Sequence, residues 1–245
     1  MTELLYQQDS YVKEFEAKIV KSDGKNIILD ETYFYPESGG QLADKGIIEC
    51  NGISHEVKSV KKSGSDVIIE LDSEGLKEGD LVHGILDWEY RYFMMRSHTA
   101  AHCLSAVINR ETQALVTGKQ LGMDKSRVDF NLSDFNAGVA GAFVEKANEE
   151  IEKGYDVKWR IVSREEAESI PGVARLAKGL PLGLKELRIV EIAGKNGEVL
   201  DMQACGGTHV RNTKEIGKLS FIKTENKGKD NRRIYFSIGQ VSEFE

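Results

Sequence analysis

Among 245 residues there are five histidines and three cysteines, and four of these side chains fall into two compact patterns. His98 and His102, in Ser-His-Thr-Ala-Ala-His-Cys, are four residues apart, and on a helix that spacing stands both imidazoles one turn apart on the same face. Cys205 and His209, in Cys-Gly-Gly-Thr-His, share the spacing, with glycines between them that let the backbone bend both side chains toward one point. Imidazole with thiolate is a donor set that suits Zn²⁺. Each pair alone has an ordinary alternative: chance spacing on an amphipathic helix, or a cysteine buried as a small hydrophobe. Together they use three of the five histidines and complement each other in ligand type, which points to one zinc per chain. A zinc-protease helix would need Glu directly after the first histidine as general base, and Thr99 stands there instead. His55, His83, Cys50 and Cys103 have no partner in the pattern and read as structural.

These residues need a scaffold, and the composition supplies one. With 40% hydrophobic residues, 24 Gly and only 3 Pro, the chain can bury a core in one large domain or two modest ones. Three scattered cysteines make no disulfide framework and indicate a reducing compartment. No stretch approaches the roughly 20 apolar residues of a membrane span, and the first twenty residues carry no signal pattern, so a soluble cytoplasmic protein is expected. Up to residue 87 the pattern is β: Phe15 to Val20, Asn26 to Leu29, Ile53 to Val60 and Val67 to Leu71 are apolar runs broken by Gly-containing turns, as in a small antiparallel barrel or sandwich. Asp87 can cap a helix running from Trp88 to about Asn109, and the domain boundary is placed there. Downstream, strands are expected at Gln113 to Val116, Arg127 to Asn131, Val157 to Val162, Leu187 to Ile192, Val199 to Gln203, Ile216 to Lys223 and Arg233 to Ile238. Helices are expected after Ser133, reaching about Lys153, and after Ser163, where Ser-Arg-Glu-Glu fits a capping box. The whole predicts an α+β domain on a mostly antiparallel sheet.

Three further features bear on function. Thr32-Tyr-Phe-Tyr-Pro-Glu-Ser-Gly-Gly-Gln41 is either a tight turn eased by Gly39 and Gly40 or a functional loop. Its Gly-Gly-Gln is similar to the loop with which peptide-release factors hydrolyse a tRNA ester, although the rest of the chain is not. From Arg211 to Arg233 there are eight basic residues against three acidic, a local balance of +5 in a chain of net charge −7. This run is either a solvated face or a phosphate-binding surface, with Arg211, Lys227, Lys229, Arg232 and Arg233 as its candidate phosphate contacts.

Taken in order, Thr-Tyr-Phe-Tyr-Pro-Glu-Ser-Gly-Gly-Gln-Leu-Ala-Asp-Lys-Gly, Ser-His-Thr-Ala-Ala-His, Ala-Cys-Gly-Gly-Thr-His-Val and Asn-Arg-Arg-Ile-Tyr-Phe resemble the editing regions of alanyl-tRNA synthetases. From about residue 13 the chain resembles alanyl-tRNA editing proteins of the AlaX group, in the medium-length form with a glycine-rich N-terminal domain. The resemblance implies a β-barrel domain over residues 1–87 and a zinc-containing α+β editing domain, similar to that of threonyl-tRNA synthetase, over 88–245. It implies zinc ligation by His98, His102, Cys205 and His209. The implied reaction is hydrolysis of the ester joining serine, or glycine, to the 3′ end of alanine tRNA, with no membrane and no obligatory protein partner. No segment could house an adenylation core, so activation of alanine is not expected. The resemblance places a polar substrate loop at Thr117-Gly-Lys-Gln120, with Thr117 as first candidate to bond the serine hydroxyl and Gln120 beside it. Thr99 and Thr208, flanking the ligands, are rivals, and an ordinary cap or turn is the alternative for all three threonines. Gly39, Gly40 and Gln41 are the candidate substrate or tRNA contacts of the N-terminal domain. A zinc-braced tRNA-binding module without catalysis, and an editing fragment acting only beside a synthetase, are the competing readings.

Overall fold

A computed structural model describes residues 1–133, 136–170, 173 and 185–239. The chain divides into two compact units, residues 1–95 with 120–123, and residues 96–119 with 124–245. The division falls inside the long helix rather than at the residue 87/88 boundary placed from sequence.

In the first unit, β1 (Glu3–Leu4) pairs in parallel with β4 (Glu31–Thr32). The remaining strands are β2 (Glu14–Asp23), β3 (Asn26–Leu29), β5 (Gly46–Cys50), β6 (Ile53–Ser63), β7 (Asp66–Leu71) and β8 (Leu81–Leu86). They close an antiparallel barrel in the order β2-β3-β7-β6-β5-β8, with β8 returning to β2. The alternation of strand side chains sends Phe15, Ala17 and Ile19 inward, where they meet Ile27, Leu29, Ile48, Val57, Val60, Ile69 and Val82 in one buried cluster. The barrel expectation holds. The runs read from sequence did not include β5 and β8, because each is short and diluted by a glycine. Gly84 is required there, since a Cβ would lie 2.5 Å from the Phe15 ring.

Helix α1 spans Trp88–Thr112, with Asp87 Oδ1 accepting from the Tyr90 amide at 3.1 Å as a cap should. It stops where Gln113 turns left-handed (φ 61°), its amide donating to Asn109 O at 2.8 Å. The strand expected at Gln113 to Val116 is therefore displaced to β9 (Val116–Gln120).

The second unit continues with β10 (Ser126–Phe130), α2 (Ala137–Glu152), β11 (Asp156–Ser163), α3 (Arg164–Ser169), β12 (Glu186–Ala193), β13 (Val199–Ala204), β14 (Leu219–Asn226) and β15 (Arg232–Ile238). One sheet has the order β14-β15-β10-β9 and the other β11-β12-β13, so the α+β reading also holds. Two boundaries differ from expectation. The cap of α2 is Asn136, whose side chain accepts from Val139 N at 3.0 Å, rather than Ser133. Ile216 ends a 3₁₀ turn (Thr213–Ile216) closed by an Asn212/Glu215 capping box, so β14 starts only after Gly217. Ser163 caps α3 as read, accepting from Glu166 N at 3.1 Å. Among the described residues no helix is long and apolar enough to cross a membrane.

Candidate metal centre

Every residue of α1 from Met94 to Ser105 is buried, so its histidines are held by surroundings on all sides. Arg96, two residues before His98, donates to Glu215 O at 2.9 Å, Ile216 O at 2.7 Å and Gly239 O at 2.5 Å. That fork ties the helix to the 3₁₀ turn that follows His209 and to the end of β15. From the other side, β13 delivers Cys205: its amide donates to Arg188 O at 2.9 Å, while Arg188 Nη1 donates to the carbonyls of Cys205 (2.9 Å) and Gly207 (3.1 Å). The glycine loop between Cys205 and His209 is thus pinned by a β12 arginine.

The result is the convergence read from sequence. The ligating atoms of His98, His102, Cys205 and His209 all lie within 4.8 Å of one another, and the three histidines are at most 6% exposed. Cys205 Sγ is 3.6 Å from His98 Nε2 and 3.4 Å from His209 Nε2. Nδ1 of His102 bonds Asp201 Oδ2 at 2.8 Å, and Nδ1 of His209 bonds Thr99 Oγ1 at 3.1 Å. In both rings Nε2 is left for the centre, and that of His102 is buried with no hydrogen-bond partner. Gly207 N–H points at Sγ from 3.5 Å.

The electrostatics agree with the geometry. Burial, then the Lys119 ammonium, holds His98 well below the usual imidazole range, and burial pushes His209 down to about 4, so both are neutral. Burial alone would raise the Cys205 thiol, but the facing His98, Lys119 and His209 outweigh it and lower it well below the ordinary value. At His102 burial opposes protonation, yet Asp201 and the nearby sulfur more than offset it and raise the ring to about 9. His98 and His209 as neutral imidazoles, Cys205 as a thiolate, and the inward-facing Nε2 of His102, which would give up its ring proton on binding, make a donor set that fits a borderline-soft divalent cation such as zinc.

The other sequence candidates separate. Thr99 is fully buried and spends its hydroxyl on His209 and on the Val210 amide (3.3 Å); Thr208 is fully buried as well. Thr117 is exposed on β9, bonds Asn231 Oδ1 at 3.2 Å, and by strand alternation shares a face with Lys119, whose Nζ lies 2.6 Å from His98 Nε2. Gln120, at the end of β9, alternates to the opposite face and is exposed.

In the first unit, Gly39 (φ 56°) and Gly40 (φ 86°) form a turn closed by reciprocal Ser38–Gln41 backbone bonds of 3.1 and 2.9 Å. Both left-handed positions favour glycine, and the Gln41 side chain is buried rather than displayed on a loop tip.

The basic run splits in two. Arg211, Lys227 and Lys229 are exposed, with Lys227 also 2.9 Å from Glu225. Arg232 is 9% exposed and donates to Asn226 Oδ1, to Gly228 O and to Ser133 O, bracing the β14–β15 hairpin. Arg233 grips Asp129 with Nε and Nη2 at 2.7 and 2.8 Å.

Sequence reasoning missed Lys119, Asp201 and Gln203. A signal existed for the last two: in Asp201-Met-Gln203-Ala-Cys205 they alternate along β13 onto the face that presents the ligand.

Comparison with known proteins agrees with this architecture. Residues 6–90 match the family model described as tRNA synthetases class II (A), and residues 187–235 match the Threonyl and Alanyl tRNA synthetase second additional domain. The chain is 47% identical to the alanyl-tRNA editing protein AlaX-M of Methanosarcina barkeri, covering 97% of this chain and 99% of that one. The AlaX-M protein of Saccharolobus solfataricus is 40% identical, over 97% and 99% respectively. The alanine–tRNA ligase of Thermococcus kodakarensis is 36% identical over 98% of this chain but only 26% of the ligase. The class is that of domains shared with alanyl- and threonyl-tRNA synthetases. Within it, the chain belongs to the AlaX-M family of alanyl-tRNA editing proteins.

Proposed function

We propose that the protein is a zinc-dependent trans-editing hydrolase that deacylates alanine tRNA mischarged with serine or glycine. The observation that carries the reading is the convergent His98–His102–Cys205–His209 quartet, with its three histidines buried and half of its members in the segment matching the second additional domain. A pocket made for alanine cannot strongly reject smaller glycine or slightly larger serine, so a second, hydrolytic site improves accuracy. When bound, zinc would lower the pKa of a coordinated water and polarise the ester carbonyl, or hold the 3′ end. His98, His102, Cys205 and His209 would hold it; catalytic zinc keeps one position open, so one of the four would have to yield. Thr117, exposed on the strand face it shares with Lys119, is our candidate for reading the serine hydroxyl. Lys119 brings a cation to the quartet, suited to a phosphate or carbonyl oxygen of the 3′ end. Arg211, Lys227 and Lys229 are our candidates for phosphate contacts, and Gly39, Gly40 and Gln41 remain candidates in the first unit.

The test is to incubate the protein, with no synthetase present, with serine-charged, glycine-charged and alanine-charged alanine tRNA and to follow loss of the ester. Rapid loss from serine-charged tRNA with sparing of alanine-charged tRNA is expected. Tight tRNA binding with no accelerated loss would replace the reading by a zinc-braced binding module, and activity appearing only beside a synthetase would make the chain an auxiliary fragment.

A further inference from the structure

We propose that Asp201, braced by Gln203, is the positioning residue of the metal centre: it fixes the ring of His102 so that Nε2 faces the other three ligands. The inference rests on the metal reading above. Asp201 is 8% exposed and His102 is 3% exposed, and Asp201 Oδ2 lies 2.8 Å from His102 Nδ1. Gln203 Nε2 donates to Asp201 Oδ1 at 2.9 Å and to Oδ2 at 3.1 Å, so the carboxylate is itself oriented. With Nδ1 engaged, the only ring atom left for the centre is Nε2, which is buried without a hydrogen-bond partner. A buried imidazole nitrogen in that condition costs free energy unless something accepts its lone pair or proton. A metal ion would satisfy it.

The arrangement follows from β13 itself. Asp201 and Gln203 share one face of β13, and Cys205 follows directly after the strand's last residue, so a single short segment supplies the carboxylate, its amide brace and a thiolate ligand. Meanwhile α1 supplies the ring they orient. At His209 the Nδ1 partner among the described residues is the neutral hydroxyl of Thr99. A carboxylate partner orients a ligating imidazole and strengthens it as a donor, and loss of such a partner typically weakens metal binding by about 10- to 100-fold.

The experiment uses the full chain loaded with zinc, and separately with Co²⁺, and compares wild type with Asp201→Asn and Gln203→Leu. Metal affinity is read by competition with a chromophoric chelator, ligand geometry by the visible absorption of the Co²⁺ form, and folding by melting of the metal-free protein. Asp201→Asn should bind zinc about 10- to 100-fold more weakly and alter the Co²⁺ bands. Gln203→Leu, which keeps the carboxylate but frees it to rotate, should give a smaller loss in the same direction. If Asp201→Asn fails to fold, Gln203→Leu carries the test, and unchanged affinity and bands in it overturn the proposal. Unchanged affinity in a folded Asp201→Asn variant also overturns it while leaving the metal site standing. Failure of wild type to take up either metal would instead remove the metal reading on which the proposal depends.

Discussion

Burial sets Thr117, the first candidate from sequence, apart from its rivals Thr99 and Thr208, both of which are fully buried. Thr99 has no exposed surface and holds His209 through Nδ1, whereas Thr117 is exposed on β9. Thr99→Val should therefore act on the centre: zinc retention falls in a chelator challenge, and hydrolysis falls for every aminoacyl ester alike. Thr117→Val keeps the shape and removes the hydroxyl, so zinc content should stay at one per chain while the serine-to-alanine rate ratio narrows. The size of that narrowing is bounded by the cost of a buried polar group left unpaired, about 1–3 kcal/mol, or up to roughly a hundredfold. A ratio that moves in Thr99→Val and not in Thr117→Val would reverse the assignment. Cys205→Ala removes the thiolate that faces His98 and His209. Elemental analysis of that variant should find the zinc lost, with tRNA affinity largely retained because the exposed lysines lie elsewhere in sequence.

At the scale of elements, the N-terminal half of α1 serves the first unit through Arg91. Its guanidinium meets both oxygens of Asp44 and donates to Ser10 O and Tyr33 O, and both side chains of the ion pair are fully buried. Asp44 also accepts from the Tyr35 amide at 2.6 Å, so the pair anchors the segment that carries the Gly39–Gly40 turn. Breaking a buried pair from one side leaves an uncompensated charge and costs about 3–5 kcal/mol. Asp44→Ala should lower the free energy of unfolding, read from denaturant titration, by that amount, and Asp44→Ala combined with Arg91→Leu should recover part of it; additive losses would count against the pair. None of this was legible beforehand, since Asp44 and Arg91 are 47 residues apart and carry no spacing signal. What sequence did expose is local: the Asp87 and Ser163 caps, the apolar runs of β2, β3, β6 and β7 between their turns, and the ligand pairs four residues apart. Where a three-residue choice depended on tertiary context, as at Gln113, Asn136 and Ile216, the boundary moved. The same limit hid Lys119, which matters only because β9 reaches α1, whereas Asp201 did carry a local signal in its two-residue spacing from Gln203 and Cys205.

The whole molecule carries a net charge of −7 and is proposed to bind a polyanion, so a local group of outward cations must carry the contact. The structure sorts the basic run into two populations with opposite expected behaviour. Lys227 and Lys229 are exposed; replacing both with Ala should leave thermal stability unchanged, weaken tRNA binding and flatten the salt dependence by about one unit per lost phosphate contact. Arg233 is instead committed to Asp129, so Arg233→Ala should lower stability and leave the salt slope nearly intact. The pH dependence gives a sharper check. Burial raises the Asp129 carboxyl, but Arg233 and Arg127 more than offset this and hold it below the usual carboxylate value. A lowered carboxyl contributes stability above its unfolded pKa, about 3.9, and loses that contribution as pH falls through the lowered folded value. The melting difference between wild type and Arg233→Ala should therefore be constant from pH 6 to 8 and shrink on acidification below about pH 4. A difference that stays constant to pH 3, or a salt slope that falls with Arg233 rather than with the two lysines, would put Arg233 on the RNA and take it out of the fold.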